Sequence, residues 1–244
     1  MDHKIGFRTS GLTHLPLKEV LDGIVQAGFQ TVEFCLEHPE ASSSTLEFAR
    51  KSGLEISSVS YHGKRDDPFT RSEMGRRAVR IAEECSVPVV VLGSPLVQSD
   101  YFPDETARLY EMCIGAGIRP AWETEPGTVL DGLDEFRRFI VPLGPGAGIN
   151  LDAGHLHIQN RCTVPEISSL RGRILHVHVE GMNRSEHRHI VPGTGDLNWH
   201  DLFTGLSMAG YTGSLTVDLF DIPANWREYL KQANVALVKI MGYM

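Results

Sequence analysis

The sequence predicts a single (β/α)8 barrel in the α/β class. Short β-type runs alternate with longer amphipathic segments along the whole chain, which is typical of repeated βα units around a parallel sheet. The chain has 244 residues, close to the roughly 250 that one such barrel needs. No linker rich in Pro, Gly or Ser divides it, so we expect one domain over residues 1–244. A doubly wound open sheet is the structural alternative.

Eight β-type runs are the candidate strands, and seven segments between them have apolar residues at helical spacing. The strands are Lys4–Arg8, Thr31–Cys35, Ile56–His62, Val87–Gly93, Arg119–Glu123, Gly148–Asp152, Ile174–Val179 and Ser214–Leu219. The helices are Leu17–Ala27, Ser42–Ser52, Arg71–Cys85, Asp104–Ala116, Leu130–Ile140, Trp199–Ala209 and Ala224–Ile240. The sixth connection, around Val164–Leu170, is weaker and predicts a short helix. Several helices end just before a glycine, as expected where a helix closes in a left-handed turn; these are Gly28, Gly53, Gly117 and Gly210.

The composition argues against several classes of partner. Acidic residues outnumber basic ones by 31 to 23, for a formal charge of −8, so we expect no binding of nucleic acid. The strongest apolar run, Val87–Leu92, is far shorter than the roughly 20 residues of a membrane helix. No signal-peptide pattern opens the chain, and the four cysteines are widely separated without a CxxC pair. These features predict a cytoplasmic protein with reduced, packed thiols.

Polar residues occupy the inward phase of the later strands. Residues two apart on a strand share a face, and the alternate apolar residues of these strands are expected to pack against the helices. Glu123 ends the fifth strand in phase with Ala121 and Glu125. The inward positions of the sixth, seventh and eighth strands carry Asn150, Asp152, His176, His178, Glu180, Ser214, Thr216 and Asp218.

Four of these inward residues predict a divalent metal site. Unpaired acids at strand ends would cost several kcal/mol each if desolvated, and barrels of this kind place their active sites at the carboxyl ends of the strands. One cation would neutralise most of that charge. Three oxygen ligands and one imidazole suit Mn²⁺, Mg²⁺ or Co²⁺, with Zn²⁺ or Fe²⁺ as alternatives. The predicted ligands are Glu123, Asp152, His178 and Asp218.

Each of the four ligands also has a structural interpretation when it is considered alone. Asp152 precedes Ala-Gly and could cap a turn or helix, and His178 could be a hydrogen-bonded interior histidine. Asp218 could be an ordinary polar residue of a loop, and Glu123 could pair with a basic residue such as Arg119. Their common position at strand ends, in the inward phase, favours the metal.

Six sequence motifs span nearly the whole chain: the Gly28–Glu33 junction, Glu123-Thr124, Asp152-x-x-His155, His178, the loop Pro192–Trp199 and the turn Gly210–Gly213. The PGxGxxxW loop followed by GYxG and an acidic strand end is the most specific of them. These motifs resemble those of the xylose-isomerase-like TIM barrel superfamily of sugar phosphate isomerases and epimerases.

The resemblance implies roles for particular residues. Carried over by position, Glu123, Asp152, His178 and the acid at 218 are the ligands of one divalent metal ion. His155 and Arg184 resemble groups that contact substrate, and Arg184 follows His178 at the spacing of the ketose 3-epimerase branch. His62 and Glu33 would face the pocket, as substrate groups or as structural hydrogen-bonding partners, and His189 with His187 would be substrate contacts, supporting groups or solvated loop residues. Homodimers and homotetramers are common among such proteins.

The chain departs from the family pattern at position 218. Most relatives have Glu where this sequence has Asp218, so the carboxylate is one methylene, roughly 1 to 1.5 Å, further from metal and substrate, and catalysis is sensitive to displacements of that order. The shorter side chain is compatible with a ligand role for Asp218 and argues against its use as a proton-transfer base.

The resemblance implies a metal-dependent isomerase or epimerase of a small sugar, ketose or related polyol. Glu123, with Asp218 on the opposite side, would move a proton through an enediolate. The alternatives are a dehydratase of an inosose-like substrate and a barrel that binds sugar or metal without turnover. His187-Arg188-His189 also resembles an element of endonuclease IV-type nucleases, but those use three metals and a histidine near the end of the fourth strand, where this chain reads Val91–Pro95.

Overall fold

Eight parallel strands close into a barrel in the computed structural model, which describes residues 3–63, 65–96 and 103–243. The barrel strands are β1 (Ile5–Arg8), β2 (Thr31–Cys35), β3 (Glu55–Tyr61), β4 (Val89–Leu92), β5 (Arg119–Glu123), β6 (Gly148–Asp152), β7 (Ile174–Val179) and β10 (Leu215–Val217). Around the barrel they follow chain order, and β10 closes the ring between β7 and β1. The prediction of a single (β/α)8 TIM barrel is confirmed.

Helices cover the outside of the barrel between successive strands. They are α1 (Leu17–Gln26), α2 (Ser43–Lys51), α3 (Pro68–Glu84), α4 (Pro103–Gly115), α5 (Leu133–Ile140), α6 (Ala153–Ile158), α7 (Val164–Ser168), α8 (Trp199–Ala209) and α9 (Trp226–Gly242). The weak sixth connection contains the short helix α7, as predicted, and a second short helix, α6, which the sequence analysis does not predict. Within the described ranges, no helix is long and apolar enough to cross a membrane.

The helices form where apolar spacing and capping residues agree. Helix α1 buries Leu17, Val20, Leu21 and Ile24, which share one face of a 3.6-residue repeat. Helix α3 begins three residues earlier than its apolar pattern predicts, because Asp67 accepts hydrogen bonds from the first-turn amides and proline follows it at the first helical position. The four glycines predicted to end helices all have positive φ, from 70° to 92°.

The register of the parallel ladder brings the polar strand ends to one level. His178 of β7 pairs with Thr216 of β10 on one side and with Asp152 of β6 on the other. Glu123 of β5 pairs with Asn150 of β6. The carboxyl ends of these four strands therefore meet at the same mouth of the barrel, where the fold places active sites.

An antiparallel hairpin that the sequence analysis does not predict stands at this mouth. Strands β8 (Gly181–Asn183) and β9 (Glu186–Ile190) form it directly after β7. Its strands are short, and β9 is rich in charged residues and histidine, so they lack the apolar signal of a barrel strand. The eighth barrel strand is shorter than predicted and ends at Val217, which puts Asp218 just beyond the ladder.

Candidate metal centre and active site

A cavity of about 530 Å³ opens at the carboxyl ends of the strands. Five of its lining residues come from the predicted site: His62, Glu123, His155, His189 and Asp218. Other charged or aromatic residues of its wall are Arg8, Glu37, Glu125, His187, Arg188, Phe220 and Asp221.

Beside this cavity, the three predicted carboxylate ligands converge on one ring nitrogen of the fourth predicted ligand, His178. Nδ1 of His178 lies 3.0 Å from Oε1 of Glu123, 3.8 Å from Oδ2 of Asp152 and 3.9 Å from Oδ2 of Asp218. All four residues are buried. Separations of this size are those of neighbouring ligand atoms bound at about 2.1 Å to one ion.

The other nitrogen of His178 is anchored by Glu33. Oε2 of Glu33 lies 2.7 Å from Nε2 of His178 and 2.7 Å from Nε2 of His176. Histidines that bind metals commonly donate their second N–H to a carboxylate, which directs the remaining lone pair at the ion. Glu33 is fully buried and is absent from the lining of the cavity, so it contacts the predicted ligand His178 rather than the space a substrate would fill.

The local electrostatics fit a cation. Burial by itself would lower the pKa of the His178 ring, yet the neighbouring carboxylates of Glu33, Asp152 and Glu123 raise that pKa well above its usual range. A cation bound at Nδ1 would displace this proton. Oδ2 of Asp152 and Oδ1 of Asp218 are buried and accept no hydrogen bond within the described residues. Buried polar atoms of this kind require a partner, and a divalent ion supplies one.

Glu123 and His62 form a pair on one wall of the cavity. Oε2 of Glu123 lies 3.0 Å from Nε2 of His62, while Nδ1 of His62 lies 2.6 Å from a guanidinium nitrogen of Arg8. Because a guanidinium only donates, Nδ1 of His62 is the acceptor and Nε2–H faces Glu123. Glu123 thus points one oxygen at His178 and the other at the cavity wall.

Asp218 is held by two cationic or polar neighbours. A terminal guanidinium nitrogen of Arg8 donates to Oδ2 of Asp218 at 2.7 Å, and Nδ1 of His189 lies 3.3 Å from the same oxygen. Burial by itself would raise the pKa of Asp218, but the Arg8 guanidinium and the His189 ring outweigh it and hold that pKa at about 2. Asp218 is therefore an ionised, firmly oriented carboxylate.

Asp152 is held by its own helix. It is the residue that precedes α6, and its Oδ1 accepts a hydrogen bond from the His155 amide at 2.8 Å. The buried Glu180 accepts a second amide hydrogen bond of this turn, from Gly154 at 2.6 Å. Burial and repulsion by Asp152 raise the pKa of Glu180 well above its usual range. The cap uses Oδ1 of Asp152, so Oδ2 is the oxygen that stays available for the predicted role of metal ligand.

Three imidazole rings form one wall of the cavity. The ring centroids of His155, His187 and His189 lie 4.8 to 5.5 Å apart, and Nε2 of His187 and Nε2 of His189 are 3.4 Å apart. Nδ1 of His155 is within hydrogen-bond distance, 2.9 Å, of the Thr124 carbonyl oxygen. His155 and His189 both line the cavity, where the sequence predicts substrate contacts.

Arg184 lies apart from this wall. It is exposed at the turn of the hairpin and is not among the residues that line the cavity. Its backbone N–H donates to Oδ1 of Asp196 at 2.9 Å, and the same oxygen lies 2.7 Å from Nε2 of the buried His157. The backbone of Arg184 therefore ties the hairpin to the loop before α8, and Arg188 is the hairpin arginine at the cavity.

Arg8 is the main site residue that the sequence analysis misses. It ends β1 in phase with Gly6, is 5% exposed, and contacts Asp218, Glu33 and His62. An inward-phase charge at a strand end is the signal that identifies Asp152 and His178, so the same reasoning applied to the first strand would have found it. Glu37, which follows β2 in a loop, has no periodic signal of that kind.

Comparisons with solved structures show the same fold in sugar-modifying proteins. The chain superposes on an L-ribulose 3-epimerase with a TM-score of 0.79 and 16% identity, covering 99% of this chain and 95% of that one. It superposes on the IOLI protein with a bound zinc atom with a TM-score of 0.81 and 16% identity, over 98% of each chain. A D-tagatose 3-epimerase-like protein gives a TM-score of 0.80 and 20% identity, over 98% and 97% of the two chains.

Sequence comparisons extend the likeness. An inosose dehydratase of Lactiplantibacillus plantarum is 23% identical over 250 residues, covering 85% of this chain and 82% of that protein. The profile of xylose isomerase-like TIM barrels matches residues 21–234, a span that includes every predicted metal ligand. This match covers most of the chain, and the protein therefore belongs to the xylose isomerase-like TIM barrel family.

Proposed function

We propose that this barrel is a divalent-metal-dependent isomerase or epimerase of a small sugar, ketose or related polyol, which acts by proton transfer through an enediolate. The observation that carries the proposal is the convergence of Glu123, Asp152 and Asp218 within 3.9 Å of Nδ1 of His178. This cluster lies beside a cavity large enough for a small sugar.

The proposed ligands of the ion are Glu123, Asp152, His178 and Asp218. When bound, the ion would supply Lewis-acid stabilisation of negative charge on the substrate oxygens, which acidifies the neighbouring C–H. Mn²⁺, Mg²⁺, Co²⁺ and Zn²⁺ all fit a set of three carboxylates and one imidazole. Similarity to the zinc-containing IOLI structure supports the choice of a divalent ion.

Side chains of the protein would transfer the proton and bind the substrate. Glu123, whose second oxygen is paired with His62 at 3.0 Å, would remove the proton from the substrate carbon and return it. His155 and His189 would hold substrate oxygens from the imidazole wall. Oriented donors of this kind need no rearrangement as charge develops on the substrate.

Solvent exchange tests the proposal. Metal-loaded protein is incubated in D₂O with a panel of ketoses, aldoses, hydroxypyruvate and inosose, and deuterium entering the substrate carbon is followed by NMR. We expect exchange with at least one substrate, and a loss of at least about 10²-fold in Glu123→Gln, because proton transfer by a positioned base is worth about 10²–10⁴-fold.

The matched control is Glu111→Gln, the same change on the exposed surface of α4, which should exchange at the wild-type rate. Exchange that survives Glu123→Gln would contradict the role of Glu123. Bound metal without exchange on any substrate would instead favour a barrel that binds sugar or metal without turnover.

A second candidate is dehydration of an inosose-like substrate. The 23% identity to an inosose dehydratase favours it, and the first step, removal of a proton next to a carbonyl by Glu123, would be the same. The two reactions differ in the fate of the β-hydroxyl, which leaves as water in a dehydration. The NMR experiment separates them, since a dehydrated product lacks one C–O carbon signal and an isomer or epimer keeps all of them.

A further inference from the structure

Three imidazole rings on the cavity wall bring their ring nitrogens close together. One ring nitrogen from each of His155, His187 and His189 lies within 4.8 Å of the other two. All three residues line the cavity, and none of them belongs to the predicted ligand set around His178. The wall is therefore a second group of side chains able to bind a metal ion, beside the first one.

The distance between two of these nitrogens distinguishes a hydrogen bond from a pair of ligands. Nε2 of His187 and Nε2 of His189 are 3.4 Å apart. Hydrogen bonds from an N–H donor are typically about 2.7–3.2 Å long, whereas two nitrogens bound to one tetrahedral Zn²⁺ ion lie about 3.3–3.4 Å apart. The observed separation fits two ligands of one ion better than a direct hydrogen bond. Shifts of about 1.5 Å or less would bring all three nitrogens to this spacing.

Two of the rings are oriented by contacts at their other nitrogen. Nδ1 of His155 lies 2.9 Å from the Thr124 carbonyl oxygen, and because a carbonyl oxygen only accepts, Nδ1 is the donor. Nδ1 of His189 lies 3.3 Å from Oδ2 of Asp218. Histidines that bind metals almost always donate their second N–H to a carbonyl or a carboxylate. In both rings, Nε2 is therefore the nitrogen left to serve as a ligand.

The type of ligand selects the ion. Imidazole nitrogens suit Zn²⁺, whereas carboxylate oxygens suit Mg²⁺ and Mn²⁺. The cluster around His178 contains three carboxylates, and the cavity wall contains imidazoles alone, so the two groups differ in the ion that they prefer. Catalytic zinc sites with three protein ligands keep a fourth position for water or substrate. A group of three histidines at a cavity matches that pattern.

We propose that His155, His187 and His189 form a second metal site, which binds Zn²⁺ and leaves one coordination position open to the cavity. The site itself does not depend on the proposed function, because it shares no ligand with the cluster around His178. Only the use of the open position, to hold an oxygen of the substrate, rests on the proposed function. His155 and His189 would then bind substrate oxygens through the ion rather than directly.

Metal stoichiometry tests the site without any substrate. Metal-free protein is brought to equilibrium by dialysis against Zn²⁺ or against Mn²⁺, and the bound metal is measured by mass spectrometry. We expect two equivalents of Zn²⁺ per chain and one of Mn²⁺, because a site made only of imidazoles binds Mn²⁺ poorly. Fewer than two equivalents of Zn²⁺ in the wild-type protein would overturn the proposal.

Substitution of His187 locates the second ion. His187 is exposed, so its replacement should leave the barrel folded. At the same free Zn²⁺ concentration, His187→Gln should bind one equivalent, since it lacks one ligand of the second site. Its Mn²⁺ affinity should stay within about threefold of wild type, as for other exposed substitutions. Two equivalents of Zn²⁺ in His187→Gln would overturn the proposal.

Two further variants separate metal binding from packing. Under reducing conditions, His187→Cys replaces the imidazole with a thiolate, another common zinc ligand, and should keep two equivalents of Zn²⁺. The matched control is His200→Gln, the same change as in His187→Gln at an exposed histidine of α8, which should also keep two. Loss of the second equivalent in His187→Cys or in His200→Gln would contradict the assignment.

Visible absorption of Co²⁺ reports the geometry of the second site. Four-coordinate Co²⁺ absorbs visible light much more strongly than six-coordinate Co²⁺, and three histidines with one open position give four-coordination. The second equivalent of Co²⁺ should therefore add an intense band that His200→Gln keeps and His187→Gln lacks. The same band from a second equivalent in His187→Gln would overturn the proposal.

The proposed function and this inference fail in different ways. Wild-type protein that binds one Zn²⁺ ion and exchanges substrate protons would overturn this inference alone. Wild-type protein that binds two Zn²⁺ ions, the second dependent on His187, without exchange on any substrate would support this inference and overturn the proposed function.

Discussion

Asp152 and Asp218 are two buried aspartates on either side of His178, and different parts of the chain hold them in place. Oδ1 of Asp152 is bound by the amide of His155, three residues along the chain. Oδ2 of Asp218 is bound by Arg8, 210 residues away. Each carboxylate thereby keeps one oxygen without a hydrogen bond among the described residues.

The difference shows that one site can combine a carboxylate oriented by a neighbouring residue in the chain with one oriented by a distant residue. The turn that starts α6 orients Asp152 without a contact from a distant strand, because an N-terminal helix cap forms within a few residues. The orientation of Asp218 depends on barrel closure, which brings β1 next to β10. We therefore expect Asp152 to be the stronger metal ligand and Asp218 to be the more sensitive to its neighbours.

The largest expected effect concerns metal affinity. Asp152→Asn should weaken Mn²⁺ binding at least about 100-fold, since it removes a ligand charge and disturbs the cap beside His155. Asp218→Asn should weaken it about tenfold, because Arg8 already neutralises part of that carboxylate's charge. Isothermal titration at one pH and ionic strength measures both. Equal losses of Mn²⁺ affinity in the two variants would show that the two aspartates do not differ in strength as ligands.

The next effect concerns the space around the side chain of Asp218. Asp218→Glu adds one methylene, which must fit between the carboxylate and its two neighbours, Arg8 and His189. Overpacking of this kind typically costs about 1–3 kcal/mol. Urea unfolding of the metal-free protein measures it, with Asp22→Glu on the exposed face of α1 as the control. A stabilised Asp218→Glu would mean that Arg8 does not fill the space.

Acid should weaken the contact between Asp218 and Arg8 in a defined pH window. The pKa of Asp218 falls from 3.8 to about 2 in the folded protein, so its contribution is fully present above about pH 4 and is lost as the pH falls through about 2. A shift of this size corresponds to about 2 kcal/mol. In urea titrations from pH 6 to pH 2, the stability advantage of wild type over Asp218→Asn should therefore shrink. A constant difference would show that the charge of Asp218 is not what Arg8 stabilises.

The smallest effect is expected at Arg184, where a local backbone contact matters more than the side chain. Its N–H binds Asp196 whatever the side chain, and exposed substitutions usually change free energies by no more than about 0.5 kcal/mol. Arg184→Ala should therefore change KM by about twofold or less once a substrate is found. A rise above tenfold would restore the role that the family resemblance implies for the Arg184 side chain.

Periodic features were predictable from the sequence. The eight strands, the helices and the glycines that end them follow from local spacing, and the structure confirms the barrel that they predict. The hairpin β8–β9 was not predictable in this way, because short polar strands lack an apolar period. The inward phase of the strands also predicted that Glu123, Asp152 and His178 belong to one group. The short distances from Glu123 and Asp152 to Nδ1 of His178 support this grouping. Their role as metal ligands stays a prediction.

The sequence by itself determined which residues face the barrel interior, because strand alternation and helix capping act over a few residues. Only the tertiary structure decided what those residues touch. Arg8 reaches Asp218, and Glu33 reaches His178 across 145 positions, through closure of the barrel. Burial then makes such contacts strong, since charges removed from water interact at a low effective dielectric constant. The orientation of the carboxylate at 218 thus depends on its neighbour from the first strand.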